Sequence, residues 1–250
     1  MTESSVASYP REFYANRNER TRHAARTILP LVLQAVPGVD SAVDVGCGVG
    51  AWLAVLRELG VAEIQGVDGP WVDRSLLVIP DEAFRHVDLA RPLRLDRRYA
   101  LAMSLEVAEH LPESRAEGFV DDLVSLADFV LFSAAVPGQG GRGHVNEQWL
   151  EYWAMKFAQR GYVPVDLVRR TIWHDDAIPY WYRQNLLLYA TRDRLAELRG
   201  PADVRDEAPR DWALSVVHPR GYLRKVERLQ SLNGSWRAFR RALRRTFSTR

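Results

Sequence analysis

The chain has 250 residues, a net charge of +2, 47% hydrophobic residues and one cysteine. That length suits a single α/β domain with an extension at either end. One cysteine excludes an internal disulfide and a cysteine-built zinc cluster. No apolar run is long enough to cross a bilayer. Met1 to Glu12 is polar and lacks a signal-peptide core, so a cytoplasmic protein is the expectation. The charge is uneven. Residues 219–250 carry ten Arg or Lys against one acid, Glu227, which leaves the rest of the chain at about −7 and opposes a nucleic-acid partner.

In chain order, Arg11 to Val36 reads as helical, with Ala24, Ala25, Ile28, Leu29, Val32 and Val36 on one apolar face. Pro30 should kink or split it. A first strand, Ala42 to Val45, runs into Gly46-Cys47-Gly48-Val49-Gly50, and a helical pattern from Ala51 to Leu59 follows, stopped by Gly60. A second strand, Ala62 to Val67, ends in Asp68; a third, Phe84 to Val87, ends at Asp88; a fourth spans Tyr99 to Ser104. Then come a helix over Ser114 to Leu126, a strand over Phe129 to Ser133 and a helix over Val145 to Arg160. Tyr162 to Trp173 and Trp181 to Ala190 read as two long final strands. After an N-cap at Ser235, Trp236, Phe239, Leu243 and Phe247 recur among arginines, the pattern of a basic amphipathic helix. Such a helix could lie on an anionic membrane, pack on its own domain or bind a partner.

Alternating strands and helices imply a doubly wound α/β fold, a mainly parallel sheet with helices on both faces. Two adjacent final strands imply one antiparallel member. The expected domains are a helical cap over 1–40, a ligand-binding domain over 41–191 and a basic extension over 192–250. In such sheets ligands sit beyond the carboxyl ends of the strands.

The glycine turn carries the functional signal. Glycines admit sharp turns and close approach of a ligand to the backbone, and the helix that follows points free N–H groups at the turn. A dinucleotide fingerprint is G-x-G-x-x-G. Here the spacing is G-x-G-x-G, with Asp44 two residues ahead. A carboxylate there would repel a pyrophosphate and suit a ligand bearing an ammonium and a sulfonium. Asp68, at the end of the second strand, stands where a ribose diol is usually held.

Asp44, Gly46, Gly48 and Asp68 together resemble the first motifs of the class I S-adenosylmethionine-dependent methyltransferases, over about Tyr9 to Thr191. The resemblance implies a Rossmann-like, seven-stranded sheet with an antiparallel last strand, and S-adenosyl-L-methionine as cofactor. It implies that the loop of Asp44, Gly46, Cys47 and Gly48 meets the amino-acid half of the cofactor and that Asp68 binds ribose. Gly69 permits close approach, and Trp71 is either an adenine contact or a surface indole. Asp88 and Leu89 are either adenine contacts or, for Asp88, a turn cap. Ser104, Leu105 and Glu106 match the segment passing the methyl donor, whereas Glu109 and His110 read as stabilisers of that turn.

Residues 133–149 hold four glycines and then a polar cluster, the composition of a binding loop or lid. His144 is the first candidate for a general base, since an imidazole titrates near neutral pH; its other reading is a structural loop histidine. Gln139, Asn146 and Glu147 are candidate substrate contacts, with Asn146 also available as a helix N-cap. The loop between the last two strands adds Trp173 and Tyr180 for an acceptor, and His174 and Asp175 as further catalytic candidates. With Asp176, His144 and Glu147 they offer metal-ligand types, but the spacing matches no metal signature and no metal is expected. The reading is methyl transfer to a hydroxyl of a small or carbohydrate-like acceptor, with N-methylation or a non-catalytic cofactor-binding module as alternatives. The segment from Pro137 to Trp149 also looks like bacterial glycan- or secondary-metabolite methyltransferases.

Overall fold

The computed structural model describes residues 11–199 and 214–231, with side chains from residue 18. The chain forms two compact units, 1–215 and 216–250. The first contains α1 (Arg11–Ala35), β1 (Ser41–Val45), α2 (Ala51–Glu58), β2 (Glu63–Asp68), β3 (Phe84–His86), β4 (Leu101–Leu105) and α3 (Ala116–Leu126). It continues with β5 (Phe129–Ser133), α4 (Leu150–Ala158), β6 (Tyr162–Val165), α5 (Arg169–Ile172), α6 (Tyr180–Asn185) and β7 (Leu187–Thr191).

The seven strands form one sheet in the order β3-β2-β1-β4-β5-β7-β6. The pairs β2–β1, β1–β4, β3–β2 and β4–β5 are parallel, whereas β7 is antiparallel to both β5 and β6. Strand side chains alternate between two cores, as period-two geometry requires. Ala42, Leu101, Met103, Phe129, Leu131 and Leu188 face the layer of α1 and α2. Val43, Val45, Ala102, Val130, Phe132 and Tyr189 face the layer of α3 and α4. This is the doubly wound architecture expected. The chain reverses direction across the sheet between β1 and β4, so a crevice opens beyond their carboxyl ends.

Several boundaries differ from the sequence reading, each for a local reason. Pro30 neither splits nor ends α1, which runs through it; its ring sits on the exposed face. Helix α4 begins at Leu150, not Val145. The amides of Val145 and Asn146 donate to the Glu109 carbonyl (2.9 and 3.1 Å) and that of Gln148 to Ala135 O (3.1 Å), so this stretch is tied to neighbouring loops. Asn146 is therefore not the N-cap, which is Trp149. The two long final strands are short ones separated by α5 and α6. Fully buried Arg169 pairs with Asp166 (2.8 Å) and donates to Gln184 O (3.0 Å), folding the intervening chain onto itself.

The second unit shows a helix over 219–231 on which Tyr222, Leu223 and Leu229 are exposed. The amphipathic pattern of Trp236, Phe239, Leu243 and Phe247 lies outside the described residues. Among the described residues no helix is long and apolar enough to cross a membrane.

A buried ion pair between Arg115, the N-cap of α3, and Asp122 within α3 holds the loop after β3. Arg115 also donates to Leu89 O (3.1 Å) and Arg91 O (2.9 Å), and Asp122 accepts from Leu93 N (3.0 Å). Removing one member of a buried pair strands the other charge. Arg115→Ala should cost about 3–5 kcal/mol of stability, measured by urea unfolding.

Candidate active site

The crevice between β1 and β4 contains a cavity of about 400 Å³. One wall is the glycine turn. Gly46 has φ +87°, and a Cβ there would overlap the Val107 side chain, so both conformation and space demand glycine. Gly50, also left-handed, caps α2 without a side-chain bond, and Ala51 and Trp52 of its first turn face the cavity.

Two acids meet at this turn. Asp68 is buried and accepts from Gly48 N (2.7 Å) and Gly69 N (2.6 Å), so it ties the turn to the end of β2. Burial raises its pKa, opposed by those amides and by the Trp71 indole. Asp44 is 2% exposed, and its Oδ2 has no hydrogen-bond partner. Burial, and then the nearby Asp68 charge, push its pKa up to about 8. An orphaned buried carboxyl on a cavity wall fits a positively charged ligand, whose approach would draw off its proton.

Further round the wall, Trp71 is half exposed and covers Gly69, where a Cβ would overlap the indole. Leu89 and Leu105 supply apolar surface. Glu106 sits at φ +57°, uncommon for a non-glycine residue, and its carboxylate accepts from Gln139 (2.7 Å) and Asn185 (3.1 Å). Burial raises its pKa against those bonds.

The glycine-rich loop after β5 folds around one side chain. Glu147 accepts from Gly138 N (2.7 Å), Gly140 N (2.6 Å) and His144 Nδ1 (2.8 Å). Burial works against its charge, yet these donors leave its pKa lowered. The His144 ring lies edge-on to His110, with centroids 4.9 Å apart. His110, not His144, lines the cavity, beside Leu111 and Arg142.

Thus Asp44, Gly46, Cys47, Gly48, Asp68, Trp71, Leu89, Leu105 and Glu106 converge on one space. Ser104 lies beneath it, donating to Val45 O (2.9 Å). Asp88 caps a turn through Ala90 N (3.0 Å) and is exposed. Gln139 reaches the wall through Glu106, whereas Asn146 is buried and accepts from Gln148 (2.9 Å). Trp173, His174, Asp175 and Tyr180 are not on this wall; Asp175 accepts from Ala177 N (2.9 Å) in a local turn. The sequence reading missed Asn18, Thr21, Trp52, Val107, His110, Arg142 and Tyr182 as wall residues. A stripe on a helix carries no signal that its end faces a cavity, although His110 stood in the segment already singled out.

A family model described as a methyltransferase domain matches residues 16–165. DesVI of Streptomyces venezuelae superposes with a TM-score of 0.53 at 13% identity, over 72% of this chain and 95% of its own. The sugar N-methyltransferase KedS8 of Streptoalloteichus sp ATCC 53650 gives 0.53 at 16%, over 76% and 98%. Magnesium protoporphyrin IX methyltransferase of Synechocystis PCC 6803, solved with bound SAH, gives 0.50 at 16%, over 76% and 90%. At these identities the likeness is one of fold. No curated protein matches in sequence.

Asp44 supplies a pH test. Its folded pKa of about 8 stands above the usual 3.8, so between these values the folded protein holds a proton that the unfolded chain has lost. The stability this contributes is complete below the unfolded pKa and disappears as pH rises through about 8. Asp44→Asn keeps the neutral shape at every pH. The ligand-free variant should therefore gain in melting temperature relative to the parent as pH is raised from about 5 to about 9, followed by thermal denaturation.

Proposed function

The chain belongs to the class I S-adenosylmethionine-dependent methyltransferase family, and we propose that it methylates a hydroxyl of a small or carbohydrate-like acceptor. The observation that carries the hydroxyl reading is the His144–Glu147 pair. A carboxylate that accepts from Nδ1 fixes the ring's tautomer and leaves Nε2 basic.

S-adenosylmethionine, when bound, supplies an electrophilic methyl group on a sulfonium. Everything else falls to the chain. Asp44 meets positive charge at the glycine turn. Asp68, held by the Gly48 and Gly69 amides, offers its remaining lone pairs as acceptors to ribose hydroxyls. Trp71 and Leu89 flank a flat ring. The apolar wall of Leu105 and Val107 excludes water, which would otherwise screen these charges. Displacement at carbon needs alignment more than covalent help. An alcohol nucleophile also needs its proton removed, and His144, edge-on to the wall residue His110, is assigned to accept it while Glu147 stabilises the resulting imidazolium. Gln139 shapes the acceptor side through Glu106. Trp173, Tyr180, His174 and Asp175 are assigned to the outer reach of a longer acceptor. An amine acceptor is the second reading, and Glu106, an acid on the wall, favours it as a partner for an ammonium.

Two measurements test this. Asp68→Ala should weaken S-adenosylhomocysteine binding by about 1–3 kcal/mol in calorimetry; unchanged affinity removes Asp68 from the cofactor site. His144→Ala should lower turnover about 10²-fold or more in a labelled-methyl assay over a panel of sugars and phenols, with cofactor affinity retained. Equal turnover would transfer the proton-accepting role away from His144.

A further inference from the structure

Beside the cavity, three metal-ligating side chains converge that are far less suggestive as Glu109-His110 and a separate His144. One ligand atom from each of Glu109, His110 and His144 lies within 4.8 Å of the others. His144 Nε2 is 4.0 Å from Glu109 Oε1. A tetrahedral zinc-type ion, with bonds of about 2.0–2.2 Å, sets its donors about 3.4 Å apart. Closing the set takes side-chain shifts of about an ångström or less.

Two further observations mark the cluster as more than a coincidence of residue types. First, Glu109 is fully buried, and neither carboxylate oxygen has a well-formed hydrogen-bond partner. Buried carboxyls are ordinarily satisfied, so this one is arranged for something that enters. Second, both rings carry an oxygen on Nδ1: the Glu147 carboxylate at 2.8 Å from His144 and the Gly143 carbonyl at 3.3 Å from His110. A carbonyl or carboxylate can only accept, so each contact calls for a proton on Nδ1 and directs the lone pair to Nε2. Metal-binding histidines are held in this way.

We propose that Glu109, His110 and His144 form a binding site for a divalent first-row transition ion, zinc foremost. Two imidazoles and one carboxylate favour such ions over magnesium or calcium. Three protein ligands leave a coordination position open, and His110 borders the cavity. The site stands without the methyl-transfer reading, but its consequence rests on that reading. An ion on His144 Nε2 occupies the lone pair that would accept the acceptor's proton. Ion binding and base action at His144 exclude each other, which makes the ion an inhibitor of a His144-dependent transfer.

Gly141 provides a probe that leaves all three ligands in place. Its backbone is not left-handed, yet a Cβ there would overlap the His144 ring at Nε2. The full chain, stripped with a chelator, is titrated with cobalt(II), reading visible absorption and stoichiometry. The parent should take up one ion per chain. Glu109→Gln, His110→Ala and Gly141→Ala should each weaken uptake by about tenfold or more. S-adenosylhomocysteine calorimetry on the same samples reports whether each variant keeps its fold and, separately, whether the cofactor reading holds. No uptake by the parent, or uptake by Glu109→Gln and Gly141→Ala equal to the parent's, overturns the site. Cobalt uptake without S-adenosylhomocysteine binding overturns the methyl-transfer reading and leaves the metal site standing.

Discussion

A buried carboxyl group with one oxygen left unpaired governs this structure. Asp44 ends up at the carboxyl end of β1, opposite Gly66 of β2 and Met103 of β4. Charged, it would face a desolvation cost of several kcal/mol, so burial and the Asp68 charge favour its neutral form. Its surroundings follow from that. Gly66 leaves room where a Cβ would crowd Cys47 Sγ. Burial also raises the pKa of Asp68, the neighbouring acid, but two backbone amides and an indole oppose that shift. One acid is hydrogen-bonded within the fold and the other keeps an unpartnered oxygen beside the cavity, the difference on which the proposed cation-binding role of the turn rests.

A second acid organises the opposite side. Glu147 gathers two glycine amides and an imidazole. Hydrogen bonds to a charged group contribute about 1.5–3 kcal/mol each, enough to offset the about 1–2 kcal/mol per residue lost in ordering the few glycines it holds. The loop is thus pinned by its own residues, and the same carboxylate sets the tautomer of His144. Glu109, also buried, has no comparably well-formed partner on either oxygen. Burial and the nearby Glu106 and Glu147 charges hold its pKa well above the ordinary carboxylate range.

How much of this could be read along the chain depends on whether the cause was local. The glycine turn, Asp44 and Asp68 were legible because strand, turn and helix succeed one another within about thirty residues. The start of α4 was not, because the amides of Val145 and Asn146 are claimed by Glu109 O, 36 and 37 residues earlier. The final strands were overextended for the same kind of reason, since Arg169 bonds to chain that periodicity cannot see. His110 was set aside as a turn stabiliser. Its place on the wall comes with its contacts to Gly143 and His144 of the loop after β5.

The doubly wound α/β order, the acidic glycine turn and the resemblance to a methyl-donor family follow from the residues in chain order, because period and spacing are properties of neighbouring residues. Packing in three dimensions selected which of the later polar residues share a site. It set His144 against His110 and Glu109, closed the loop on Glu147 and kept Trp173, His174, Asp175 and Tyr180 off the cavity wall. Those outcomes depend on which buried polar groups find partners across the fold, and that is fixed when distant loops pack together.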